Sequence, residues 1–119
     1  MAKIFSVRNS ATTALQRRKA ALLAGLCVPA DAVRASCVEQ YLTCGKSNCR
    51  CQRGHKHGPF HYLVQCLHTG KTRKFLLKTF AQKKQARDAV AGYVRFQDGL
   101  EELSQINTEL LRRGEVLSA

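Results

Sequence analysis

Three cysteines fall within eight residues, Cys44, Cys49 and Cys51 in CGKSNCRC, and His55, His57 and His61 follow within the next ten. Thiolate and imidazole are the donors of a tetrahedral Zn²⁺ site, and a structural site uses four of them. A disulfide framework would spread its cysteines along the chain, and Cys49 and Cys51 are too close to bridge without strain. Gly45 and Gly54 allow the backbone to turn tightly around an ion, and amides in such a turn can donate to sulfur. We therefore expect a structural Zn²⁺ held by Cys44, Cys49, Cys51 and His57, with His55 and then His61 as alternatives for the fourth ligand. Lys46, Arg50, Arg53 and Lys56 offset the charge of three thiolates. Cys27 lies in an apolar turn, while Cys37 and Cys66 read as buried small apolar residues in strands. Free thiols of this kind suit a reducing cytoplasm.

The charge around this loop is one-sided. Residues 1–87 carry seventeen Lys and Arg against two acids, Asp31 and Glu39, whereas residues 88–119 carry three against six. No acid lies between Glu39 and Asp88, a stretch with eleven basic side chains. A solvated surface mixes its signs, but a one-sign body builds a field that attracts a polyanion, most often nucleic acid. The basic residues expected on phosphates are Arg17, Arg18, Lys19, Lys46, Arg50, Arg53, Lys56, Lys71, Arg73, Lys74, Lys78, Lys83, Lys84 and Arg87. With 119 residues, the chain allows one domain or a small domain with an arm. Its longest apolar run, residues 20–30, is broken by Gly25 and Pro29, so neither a membrane span nor a secretory signal is expected. Trp is absent and aromatics make up 7%, which argues against an aromatic-rich sugar or lipid pocket.

The elements that must hold the loop follow from periodicity. Residues 1–9 read as a loose basic start, and Asn9 or Ser10 can cap a helix running to about Ala24. Ala11, Leu15, Leu22 and Leu26 share one face of that helix. Residues 36–43 read as a strand, and 60–67 and 72–78 form a hairpin around His68-Thr69-Gly70-Lys71. Alternation places Phe60, Tyr62, Val64 and Cys66 on one face and His61, Leu63, Gln65 and Leu67 on the other. Toward the C-terminus, Ala86, Ala89, Tyr93, Phe96, Leu100, Leu103, Asn107 and Leu110 fill the a and d positions of four heptads. Gly92 and Gly99 on g positions can kink this helix or let a neighbouring backbone approach. The helix either folds back on its own sheet or on residues 10–24, or self-associates through Ala89, Tyr93, Phe96, Leu100, Leu103, Asn107 and Leu110. A polar a residue such as Asn107 favours association, because it fixes register and oligomer state. The expectation is an α+β protein with three segments: a basic helical arm over 1–35, a zinc loop and three-stranded antiparallel sheet over 36–79, and a heptad helix over 80–119.

The run CGKSNCRC, then GHKHGPFHYL, then GKTRKFLL resembles a family of short, uncharacterised bacterial and archaeal proteins. That resemblance covers roughly residues 36–111 and implies a CGK-x2-CxC…HGP-aromatic core, a basic hairpin and a long C-terminal helix. It implies that the histidine before Gly-Pro, His57, is the one that matters. It also implies a mobile genetic element and a transposase- or recombinase-associated role. The first forty residues depart from the pattern, which marks the basic helix as particular to this chain.

Together these readings favour a non-enzymatic, zinc-stabilised DNA-binding accessory protein, dimeric through its C-terminal helix and cytoplasmic or on the nucleoid. The alternatives are an adaptor whose heptad helix binds a partner protein such as a recombinase or transposase, and an RNA-binding module. RNA ranks below DNA because the alternation draws most of Tyr41, Phe60, Tyr62 and Phe75 into the core rather than onto a stacking surface. An enzyme ranks last. A metal-dependent nuclease holds Mg²⁺ through carboxylates, and residues 40–87 contain none.

Overall fold

The computed structural model describes residues 6–117, so residues 1–5 of the expected basic start lie outside it. The elements in order are α1 (Thr12–Gly25), β1 (Ser36–Leu42), a 3₁₀ turn (Arg50–Arg53), β2 (His57–Cys66), β3 (Thr72–Leu77) and α2 (Phe80–Arg112). This is the expected α+β class, with an N-terminal helix, a three-stranded antiparallel sheet and a long C-terminal helix. Two compact units divide the chain: Asp31–Tyr93, and Met1–Ala30 with Val94–Ala119, so that α2 supplies residues to both.

In the sheet unit the strand order is β1-β2-β3, and both pairings are antiparallel. The hairpin closes where expected, the Gly70 amide donating to the Leu67 carbonyl at 2.9 Å and the Leu67 amide to the Lys71 carbonyl at 2.8 Å. Gly70 takes a φ of +85°, a left-handed conformation that glycine adopts without steric cost. The register sets His61 opposite Leu77 and Leu63 opposite Phe75, and Leu63 and Leu77 are the buried side chains of this unit's sheet. On the opposite face Phe60, Tyr62 and Val64 are half-buried. There the Lys74 ammonium donates to Gln40 Oε1 at 2.8 Å and lies 4.3 Å from the Tyr62 ring centroid.

Two expectations fail here. Tyr41 and Phe75 are 53% and 47% exposed rather than buried. Tyr41 is skipped by the β1–β2 register, which shifts between Gln40 and Leu42, and Phe75 lies on the outer strand β3. Cys37 and Cys66 are also exposed, as is Cys27. Cys37 lies on the outer strand β1 and Cys66 is the last residue of β2, places where a small side chain has little to pack against. After β3 the chain enters α2 through a reciprocal cap. The Gln82 amide donates to Thr79 Oγ1 at 3.0 Å, and Gln82 Oε1 accepts from the Lys78 amide at 2.7 Å.

In the helical unit, α1 and the later turns of α2 share a small core. Leu15, Ile106 and Leu110 are essentially inaccessible, with Val7, Leu22 and Leu117 packed around them. Burying each such side chain contributes about 1.5–3 kcal/mol. This is the fold-back onto residues 10–24 that the heptad pattern left open beside self-association. Gly99 is a seat rather than a kink: a Cβ there would meet Leu26 Cδ1 at 2.6 Å, and α2 runs unbroken through Gly92 and Gly99. The cap on α1 differs from expectation. Ala11 is the capping position, with no side-chain hydrogen bond, because Ser10 Oγ instead donates to the Ser6 carbonyl.

Ion pairs close this unit. Arg18 grips Glu102 through two bonds, 2.5 and 2.9 Å, and the Lys19 ammonium donates to the Leu117 carbonyl at 2.6 Å. Glu109 is buried and accepts from Arg112 and Arg113, and Arg113 also donates to Thr12 Oγ1 at 3.1 Å. Hydrogen bonds from Arg112, then from Arg113, hold the Glu109 carboxyl down to about 2. A carboxyl depressed in the folded state stabilises the fold above its unfolded value near 4.3, and that stability is lost as pH falls through about 2. The thermal midpoint of the full chain should therefore fall between pH 5 and pH 2, and Glu109→Gln should flatten that decline in a pH-resolved melt. Among the described residues no helix is long and apolar enough to cross a membrane.

Candidate metal centre

The loop between β1 and β2 is built by short-range backbone hydrogen bonds. The Cys49 amide donates to the Lys46 carbonyl at 3.2 Å, and the Gln52 amide to the Cys49 carbonyl at 3.1 Å, which starts the 3₁₀ turn. Gly54 ends that turn at φ +96°, its amide donating back to the Cys51 carbonyl at 3.3 Å. Gln52 Nε2 ties the loop to its own beginning by donating to the Cys44 carbonyl at 2.9 Å.

These turns bring Cys44, Cys49, Cys51 and His57 together, with one donor atom from each and all four within 4.8 Å of one another. Cys44 Sγ and Cys51 Sγ are 3.4 Å apart, and Cys49 Sγ lies 3.2 Å from His57 Nε2. Sulfur ligands about 2.3 Å from a tetrahedral ion sit about 3.8 Å from each other, so the spacing fits one ion. The amides support this arrangement as well. The Cys44 amide donates to Cys51 Sγ at 3.2 Å, the kind of outer hydrogen bond that orients a thiolate.

The electrostatics prepare the donors unequally. The Cys51 amide first, then the Cys44 and Cys51 thiols, hold the Cys49 thiol down to about 6. The Cys44 amide pulls Cys51 the other way from its surroundings, but burial and the neighbouring thiols leave that thiol above its ordinary value. Cys49 is thus the donor ready at neutral pH. Cys51, buried under the loop, holds its proton more tightly, and a bound cation would release that proton to solvent.

His57 stands on a strand rather than in the loop. β2 starts three residues earlier than expected, because His57 pairs with Leu42 of β1 across the shift in register. Its neighbour explains how the two strands come so close. A Cβ on Gly58 would lie 2.8 Å from the Gln40 carbonyl oxygen and 3.2 Å from Tyr41 Cα, and Gly58 has a φ of +140°. Gly58→Ala is expected to destabilise the sheet unit by about 1–3 kcal/mol through strain and to weaken metal uptake by moving His57. A chemical melt with and without zinc would read both. His55 is exposed, and His61 faces Glu39 at 3.9 Å, so neither joins the cluster.

Residues 12–79 match the model of a domain of unknown function, DUF6788. The chain belongs to this family. No curated protein and no solved structure matches it. The DUF6788 match takes in α1, the metal loop and all three strands, and it ends before α2. The N-terminal helix is therefore part of the DUF6788 span, against the expectation that it is particular to this chain.

The basic residues divide into two groups. Arg18 and Lys84 are paired with Glu102 and Asp88, and Lys19 and Lys74 are bonded to Leu117 and Gln40. Arg17, Lys46, Arg50, Arg53, Lys56, Lys71, Arg73, Lys78, Lys83 and Arg87 have no carboxylate partner among the described residues. All but Arg17 belong to the sheet unit, whose twelve Lys and Arg against three acids give it a net +9 of the chain's +12.

Sequence reasoning missed Gln52 and Gly58. The Gly-Pro after His57 was the one visible signal for Gly58, while nothing in the pattern marks Gln52 as the clasp of the loop.

Proposed function

We propose that this DUF6788 protein is a non-enzymatic, zinc-stabilised DNA-binding accessory protein, working in the cytoplasm on behalf of a transposase or recombinase. The observation that carries the reading is the charge of the metal-bearing unit. Lys46, Arg50, Arg53 and Lys56 are exposed around the Cys₃His cluster with no carboxylate to engage them among the described residues. A thiolate-rich donor set is best served by Zn²⁺, and the ion would fix the loop as a rigid platform rather than catalyse a reaction. Phosphate contacts from such a platform supply affinity without sequence preference. The absence of any carboxylate between Glu39 and Asp88 supports a binding role over a Mg²⁺-dependent nuclease. The transposase or recombinase is what the resemblance of the cysteine-rich core implies.

The test is anisotropy titration of zinc-loaded protein against labelled duplex DNA near physiological salt, with single-stranded DNA and RNA alongside. Preference for duplex supports the proposal. Preference for single strands or RNA would move it to the RNA-binding alternative, which the exposed Tyr41 and Phe75 make a fair competitor. Weak, equal binding to all three would overturn it.

A second reading rests on α2. Val94 and Leu100 are exposed, and Ala89, Tyr93, Phe96 and Leu103 are half-buried, so an adaptor or homodimer interface would use these residues. Leu110 is already occupied by Leu15 and Ile106, and Asn107 Oδ1 is buried without a hydrogen-bond partner.

A further inference from the structure

Lys83 and Arg87 are four residues apart on α2, so they lie on one face of the helix and repel each other. One residue further along, the same spacing is used differently: Lys84 donates to Asp88 at 3.0 Å. Lys83 and Arg87 have no such partner among the described residues. Both line a half-open cleft of about 170 Å³ against the sheet, together with His61, Leu77, Cys37 and Glu39. The one carboxylate in the cleft, Glu39, accepts from the Tyr41 hydroxyl at 3.4 Å and lies 3.9 Å from His61, and it makes no ion pair with Lys83 or Arg87. Two unneutralised cations therefore converge on a concave space that an imidazole also lines. An oxyanion seated between them would relieve their repulsion and accept hydrogen bonds from both.

We propose that this cleft binds a single phosphate group, held by Lys83 and Arg87 with His61 at its wall. The phosphate is either the terminal monoester of a nucleotide or strand end, or one diester of a nucleic-acid backbone. The origin of the phosphate rests on the nucleic-acid reading above; the cleft itself does not. It differs from the cations around the metal loop in being recessed, which makes it a point of registration rather than part of a general field.

The test is a two-dimensional amide and imidazole NMR titration of the zinc-loaded full chain with inorganic phosphate at constant ionic strength, chloride serving as the control. The expected result is a saturable shift at Cys37–Glu39, His61, Lys83 and Arg87 that chloride does not reproduce. K83Q/R87Q should weaken that binding at least tenfold, while K84Q should leave it within twofold. Removing the like-charge pair should leave the thermal midpoint of K83Q/R87Q unchanged or raised, so lost binding is not lost folding. A 5′-phosphorylated trinucleotide and its unphosphorylated twin then separate the sources. Shifts with the first alone assign a terminal phosphate, and shifts with both assign a diester. No saturable shift, a shift centred on Lys46–Lys56, or equal weakening by K84Q would overturn the proposal. If duplex DNA binds while neither inorganic phosphate nor either trinucleotide moves the cleft, the cleft fails and the DNA reading stands. If inorganic phosphate binds there and no nucleic acid does, the reverse holds.

Discussion

Cys51→Ser is expected to reduce zinc from one tightly held ion per chain to a weakly held fraction, and to loosen the sheet unit with it. Cys51 is the most buried of the four donors, at 2% exposure, and its sulfur accepts the Cys44 amide. A serine hydroxyl keeps the size but supplies no thiolate, so the ion would lose a strong bond and the loop its centre. Structural zinc sites contribute folding free energy directly, about 10–16 kcal/mol of apparent binding at neutral pH in small modules. Part of that is lost when one of four ligands goes, and the folding support that it gives the loop goes with it. Metal content by mass spectrometry, competition with a chromophoric chelator, and amide exchange across residues 36–79 would read the effect. Cys37→Ser provides the control, since that thiol is exposed and outside the cluster. Retention of one tightly bound ion by C44S, C49S, C51S and H57A alike would overturn the ligand assignment.

The second large effect concerns charge. Replacing Lys46, Arg50, Arg53 and Lys56 together by Gln should lower duplex affinity by about 10²–10³ near 0.1 M salt and reduce the salt slope by about three to four. These side chains surround the metal loop without internal partners, so each is free to displace a counterion from a phosphate. Arg18→Gln should have little effect on affinity despite its equal formal charge, because its guanidinium is already held by Glu102. Melts of the quadruple variant with zinc would show that the loop still forms. A loss from Arg18→Gln as large as the quadruple variant's loss per charge would mean that only net charge matters.

Much of this architecture was legible in the sequence because its signals are local. Strand alternation around the Gly70 turn, the crowding of Cys44, Cys49 and Cys51, and the three-and-four spacing of α2 each fix a conformation over a few residues. The fourth ligand was legible only through His57 preceding Gly-Pro. That β2 begins at His57 depends on a long-range register with Leu42, which no local pattern carries. Burial was read least well. Tyr41, Phe75, Cys37 and Cys66 have apolar or strand-forming character, but a three-stranded sheet with two outer strands cannot cover them all. The heptad repeat was legible as an apolar stripe and silent on what covers it. Leu110 meets Leu15 of the same chain, while Leu100 remains exposed.

The most direct measurement of the central claim is the affinity of zinc-loaded full chain for duplex DNA across 50–200 mM salt, repeated after zinc is stripped by a chelator. A zinc-dependent platform making six or more phosphate contacts should lose about 10³-fold in affinity or more over that range, and the stripped protein should bind weakly with a shallower slope. A flat salt response, or identical curves with and without zinc, would contradict the account.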